Sequence, residues 1–227
     1  MKNIYVVTHP QSVHHVENRV GGWYDTELTP HGRTDARAAA ARLATLVGGE
    51  PVEIFTSDLL RASQTAEIIA ERFGQRMETM RDLREMSYGE AEGMPQQWLD
   101  ERQIPAPHHN RLDHRGGIAD GETRREFAER VYRAVNMIIA RPCATQIIVT
   151  HGFALTFVIA AWIKMPIDSA GYVSFPARSG SITHLKEDDY WQNRAIAQMA
   201  AEAAALAGPA PKAGPFAGAG RDAPNRP

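Results

Sequence analysis

The chain has a single cysteine, Cys143, in 227 residues, so no internal disulfide framework can form. That usage fits a reducing compartment. Surplus charge is missing too, with a formal net charge of −2. Neither nucleic acid nor an anionic membrane surface is therefore expected as a partner. No apolar run approaches the roughly 18 residues needed to span a bilayer. Strand-like residues begin at Asn3, which leaves no space for a leader, and a cytoplasmic location is expected. The glycines form neither a P-loop nor a dinucleotide fingerprint, so no nucleotide cofactor is expected. His9, His14, His15, His151 and Glu85 could in principle converge, but they match no H-E-x-x-H or Cys/His ligand spacing. No metal is expected.

What is present suits one compact domain with a real core: 43% of residues are hydrophobic and 23% charged. Short β-branched runs at residues 3–8, 52–56 and 146–150 predict buried strands, with a shorter one at 77–80. Thr29-Pro30 starts a helix that Gly48-Gly49 ends, Thr29 as cap and Pro30 at the first helical position. Ser57 is expected to cap a second helix running to Phe73, and residues 123–140 and 153–163 predict two more. Late strands are expected at 172–175, 181–185 and 191–196. Strands alternating with helices predict an α/β three-layer sandwich, a mostly parallel central sheet with helices on both faces. Residues 86–121 read as an irregular lid or connection with a short helical piece near 96–101. The domain is expected over residues 1–199. The Ala, Gly and Pro-rich tail at 200–227 has too few large apolar residues to offset its ordering entropy and is expected to be disordered.

Two histidines sit in matching settings. His9 follows Ile4-Tyr5-Val6-Val7-Thr8, and His151 follows Ile147-Ile148-Val149-Thr150. In an α/β sheet both would lie at the carboxyl end of a parallel strand, where ligand crevices form. Either alone reads equally as a structural histidine. The duplicated context, together with Arg61 and Glu85, favours catalysis.

Arg61 falls in the first turn of its expected helix, beside free backbone N–H groups and the positive helix end, a setting suited to phosphate. The alternative is a solvated arginine paired with Asp58. Glu85 follows a strand-like segment, and a carboxyl held in a dry crevice can protonate a leaving oxygen. The alternative is a surface glutamate beside Arg84. His14 and His15 are open to three readings: substrate binding, donation to an oxyanion, or exposed loop positions.

Several segments then resemble one family in the right order. They are Gly22-Trp23-Tyr24-Asp25 through Leu28-Thr29-Pro30-His31-Gly32, residues 57–66, residues 83–93, Gly121-Glu122-Thr123 and Thr150-His151-Gly152. Over residues 1–199 the chain resembles the histidine phosphatase superfamily, also called phosphoglycerate mutase-like. The resemblance implies a phosphate monoester hydrolase, metal-independent and acting on a small phosphorylated substrate. It implies His9 as the nucleophile that becomes phosphorylated, Arg61 and His151 in the phosphate pocket and Glu85 as general acid. Thr8, His15, Asn18, Gly22, Arg61 and Gly152 are expected to line the substrate site.

The chain also departs from that pattern. Thr8-His9-Pro10 stands where the family has Arg-His-Gly. Losing one charge-assisted contact to phosphate would cost roughly 1.5–3 kcal/mol. His15 falls where the family has asparagine and is expected to supply a substitute donor when protonated. Pro10 removes a backbone N–H. The segment at 85–121 is short compared with that of phosphoglycerate mutases, which favours a phosphatase. The alternatives are a mutase-like phosphoryl transferase and a catalytically impaired phosphoester-binding or regulatory protein.

Overall fold

The computed structural model of the chain describes residues 1–200; the expectation of a disordered tail falls outside them but for Ala200. The elements in chain order are β1 (Asn3–Thr8), α1 (Val13–Val16), α2 (Pro30–Val47), β2 (Val52–Thr56), α3 (Leu60–Phe73), β3 (Met77–Thr79), α4 (Gln96–Arg102), α5 (Arg124–Ile139), β4 (Thr145–Thr150), α6 (Ala154–Trp162), α7 (Ile167–Ala170), β5 (Ile182–Glu187) and β6 (Arg194–Ala200). Among the described residues no helix is long and apolar enough to cross a membrane.

The strands form one sheet in the order β3-β2-β4-β1-β5-β6. The first four are mutually parallel, and β5 and β6 run antiparallel at the far edge. The fold is thus α/β with a mostly parallel sheet. The side chains alternate in period two across it. Ile4, Val6, Phe55 and Ile148 pack on the face covered by α5 and α6. Tyr5, Val7, Ile54, Ile147 and Val149 pack on the other face, against α2 and α3. Strands buried on both faces read as continuous apolar runs, which is why β1 and β4 were visible in the sequence.

Helix ends follow their chemistry. Thr29 Oγ1 accepts the Gly32 N–H at 3.0 Å, and Gly48 closes α2 in the left-handed region at φ 67°. Thr123 and Glu126 form a reciprocal capping box at α5. Ser57 departs from expectation. Leu59 occupies the cap position of α3 without a side-chain bond, and the Ser57 hydroxyl faces His151 instead.

Three other expectations need correction. Residues 172–175 form no strand, because both edges of β1 are already taken, by β4 and by β5, and this stretch instead packs as loop. Its Phe175 N–H donates to Thr156 Oγ1. The last strand begins at Arg194, after a turn in which the Asp188 carboxylate accepts N–H bonds from Tyr190, Trp191 and Asn193. The polar loop after β1 contains the one-turn helix α1, which carries both His14 and His15.

Candidate active site

The register of β1 against β4 sets the site. Thr8 lies directly opposite Thr150, so His9 and His151 leave the sheet at the same level on adjacent strands. The His9 N–H donates to Thr150 O at 3.0 Å and ties the two turns together. The imidazole centroids are 5.1 Å apart, edge to face. From α1, His15 stacks on His9 at 5.5 Å and His14 lies 6.2 Å away.

His9 is held in one tautomer. Its Nδ1 is 2.8 Å from Pro10 O, a carbonyl that can only accept, so the proton resides on Nδ1. Nε2 therefore carries a lone pair, and Arg61 Nε donates to it at 3.2 Å. Burial first, then the Arg61 charge, holds His9 well below the usual histidine range. It is a neutral imidazole near pH 7, with its free nitrogen on the cavity.

Arg61 is buried and fixed by two main-chain carbonyls, Tyr24 O at 3.0 Å and Gly22 O at 2.7 Å. Burial lowers it to about 10, so it stays charged. Asp58, the neighbour expected to neutralise it, instead makes a two-pronged pair with Arg84 at 2.7 Å each. Gly22 holds φ 53°, and a Cβ there would meet Glu92, Tyr88 and the Met86 carbonyl at 3.0–3.1 Å. Only glycine gives Arg61 that carbonyl.

The Glu85 carboxylate sits at the start of α6 rather than on the surface. Its Oε2 accepts from Phe153 N at 3.0 Å, and Oε1 from Ala154 N at 3.1 Å and Met86 N at 3.0 Å. Burial raises its pKa, and these N–H bonds pull against the rise. The Glu85 main chain is clamped as well: its carbonyl accepts from Trp23 Nε1 and from Arg130 Nη2, each at 2.7 Å. Arg130 in turn is held by the Glu122 carboxylate at 2.6 and 2.7 Å. Sequence reading missed this clamp, although Glu122 belongs to the Gly121-Glu122-Thr123 segment.

His151 is fully buried. Its Nε2 lies 2.8 Å from Ser57 Oγ, and its Nδ1 has no hydrogen-bond partner. Burial and the Arg61 charge keep it well below the ordinary value. His14 is pushed to about 2 by burial and by His15. His15 is pushed to about 4, first by burial of its ring and then by Arg61, although the residue keeps an exposed face. Its Nδ1 accepts from the Ser12 N–H at 3.2 Å, which leaves Nε2–H as the donor. His15 is thus arranged as a neutral donor, not as the substitute cation expected from sequence.

The structure gathers His9, His15, Gly22, Arg61, Glu85 and Gly152 around one cavity of about 290 Å³. Thr8 and Asn18 do not line it. The Thr8 hydroxyl donates to Arg178 O at 2.7 Å and accepts from Ser181 N at 3.2 Å, tying β1 to the start of β5. Asn18 adopts φ 52° in the loop after α1 and accepts Gln96 N–H with its carbonyl. Among the described residues no group of three or more His, Cys, Asp or Glu side chains is placed to hold a metal ion.

Residues 4–198 match the histidine phosphatase superfamily (branch 1). The chain is 30% identical over 176 residues to a probable phosphoglycerate mutase GpmB of Klebsiella pneumoniae subsp. pneumoniae, covering 73% of this chain and 77% of that protein. It is 29% identical over 177 residues to a glucosyl-3-phosphoglycerate phosphatase of Mycolicibacterium vanbaalenii, covering 74% and 77%. Among solved structures it resembles Bacillus stearothermophilus YhfR, with a TM-score of 0.71 and 28% identity over 87% of this chain and 96% of that one.

Proposed function

The chain belongs to the histidine phosphatase superfamily, and on that premise we propose that it hydrolyses small phosphate monoesters through a phosphohistidine at His9. The observation that carries the reading is the His9 tautomer: Nδ1 is committed to Pro10 O and the Nε2 lone pair faces the cavity beside Arg61.

The His9 Nε2 lone pair attacks phosphorus, and the bond from phosphorus to the ester oxygen breaks. Protonated Glu85 gives its proton to the leaving oxygen, so an alcohol departs rather than an alkoxide. The Arg61 Nε–H shifts from Nε2 to a phosphoryl oxygen as the P–N bond forms, and the neutral His15 donor assists it. Water then attacks phosphorus, Glu85 takes up its proton, the P–N bond breaks and inorganic phosphate leaves. His151 sits behind His9 and contributes a buried edge to the phosphate pocket. With Thr8 withdrawn, Arg61 is the buried cation of the site.

The single Cys143, free and outside any disulfide, supports a cytoplasmic setting. The likeness to the protein named GpmB favours a second reading, phosphoryl transfer between two acceptors. Both are tested by following inorganic phosphate and ester together. Stoichiometric phosphate release from an ester such as phenyl phosphate supports the hydrolase, and isomerised ester without phosphate release supports the transferase.

A further inference from the structure

A second cavity, about 320 Å³, adjoins the first and shares Tyr88 and Gln103 with it. It is walled on one side by Ile104, Pro105 and Ile118, and on the other by Phe153, whose N–H holds the Glu85 carboxylate. Arg111, Arg115 and Arg124 also line it.

The arginines of this region differ in one respect. Arg115 pairs with Glu126, Arg125 with Asp113 and Asp168, and Arg130 with Glu122. Arg111 and Arg124 pair with no carboxylate among the described residues; their recorded partners are carbonyls and rings. Arg124 lies over Phe153, with its Cζ 5.0 Å from the ring centroid, which accounts for the face of the guanidinium. It does not account for the edge: Arg124 Nε is buried with no acceptor. A buried N–H without a partner is costly and marks a place for one. Burial first, and then the Arg111 charge, lowers the Arg124 pKa, as expected of two cations with no anion between them.

We propose that this cavity seats the alcohol portion of the ester, and that Arg124, assisted by Arg111, binds a second anionic group carried on that alcohol, a carboxylate or a phosphate. The proposal rests on the phosphatase reading for its chemistry but not for its binding. The leaving oxygen must reach Glu85, whose carboxylate joins the two cavities through Met86 and Phe153. A short carbon chain then runs past Tyr88 toward Arg124, its apolar part against Ile104 and Ile118.

The test uses three matched esters: propyl phosphate, 3-phosphonooxypropanoate and propane-1,3-diyl bisphosphate. The parent is expected to prefer at least one of the doubly functional esters in kcat/KM by roughly tenfold or more over propyl phosphate, as one charge-assisted contact allows. The more favoured of the two identifies the group as carboxylate or phosphate. Arg124→Gln should reduce the preference to within about threefold while turnover of propyl phosphate is kept, which also reports an intact fold, and Arg111→Gln should lower it by less. Calorimetric binding of the same esters to His9→Ala should show the same preference. Absence of preference in the parent, or a preference unchanged in Arg124→Gln, overturns the subsite. No hydrolysis of any ester, with the binding preference intact in His9→Ala, overturns the phosphatase reading and leaves the subsite standing.

Discussion

The turns after β1 and β4 have nearly the same local sequence and the same height in the sheet, yet their side chains meet different fates. In the first, Thr8 donates to Arg178 O, and His9 fixes its Nδ1 on its own loop and turns Nε2 to the cavity. In the second, Thr150 donates to Leu83 O, and His151 spends Nε2 on Ser57 and leaves Nδ1 unpartnered in the interior. A strand-end Thr-His pair therefore delivers an imidazole to the crevice, but its tertiary partners decide which nitrogen is free. One histidine is set as nucleophile and the other as its buried support.

The strongest way to break this contrast is to remove each ring. His9→Ala should lower turnover of phenyl phosphate by at least about 10⁴-fold, as loss of a nucleophile does. His151→Asn should cost less, on the order of 10²–10³-fold, the range for losing one transition-state donor. Steady-state kinetics on both variants checks the order, and equal losses would mean the two rings share one role.

Glu85→Gln should cost about 10²–10⁴-fold on an alkyl ester and far less on an aryl ester, whose phenolate leaves without protonation. The ratio of the two losses is the readout. Equal losses would reduce Glu85 to a wall of the pocket. The Met86, Phe153 and Ala154 N–H groups also favour the carboxylate form. Substituting the clamp, Arg130→Met, should therefore disturb the alkyl reaction more than the aryl one.

Thr8→Arg sharpens the comparison from the other side. The Thr8 hydroxyl points to residues 178–181, so an arginine there must displace that bridge before it can reach phosphate. We expect a loss of stability of about 1–3 kcal/mol from the broken buried bonds and no gain in vanadate affinity. Thermal melts and vanadate inhibition measured together separate the two effects, and tighter vanadate binding would show that the loop admits the larger side chain.

Much of this was legible along the chain. The two histidine strands are buried on both faces and read as apolar runs, and Thr29, Pro30 and Gly48 mark their helix by local chemistry alone. What was hidden depends on pairs far apart in sequence. Ser57 and His151 are 94 positions apart, and Arg130 reaches back 45 positions to the Glu85 carbonyl. Asp58 looked like the partner of Arg61, its near neighbour, and packing gave it to Arg84. Residues 172–175 have strand-like composition, but a local pattern does not reveal that the nearby sheet edges are occupied.

The smallest expected effect is on stability with pH. His9, His14, His15 and His151 are all held below the ordinary value, chiefly by burial. In the unfolded chain they take up protons near pH 6.5. Below that pH the unfolded state binds more protons than the folded one, so stability is fully present above about 6.5 and declines as pH falls. For His15 the decline continues to about 4, and for His14 to about 2. Melting temperature should drop between pH 7.5 and 5.0, by about 2–4 °C per kcal/mol lost. His14→Gln should reduce the drop, and an unchanged slope would show that His14 does not stay neutral in the folded protein.

The central claim is that Nε2 of His9, and not any nitrogen of the neighbouring rings, carries the phosphoryl group. It is tested most directly by brief exposure of Glu85→Gln to phenyl phosphate, where slowed attack by water should trap the intermediate. Phosphorus NMR with peptide mapping by mass spectrometry then locates the phosphate. One acid-labile phosphate per chain on Nε2 of His9 is the expected result. Phosphate on Nδ1 of His9, on His15 or on His151, or turnover with no phosphorylated histidine in a chain quenched during reaction, would contradict it.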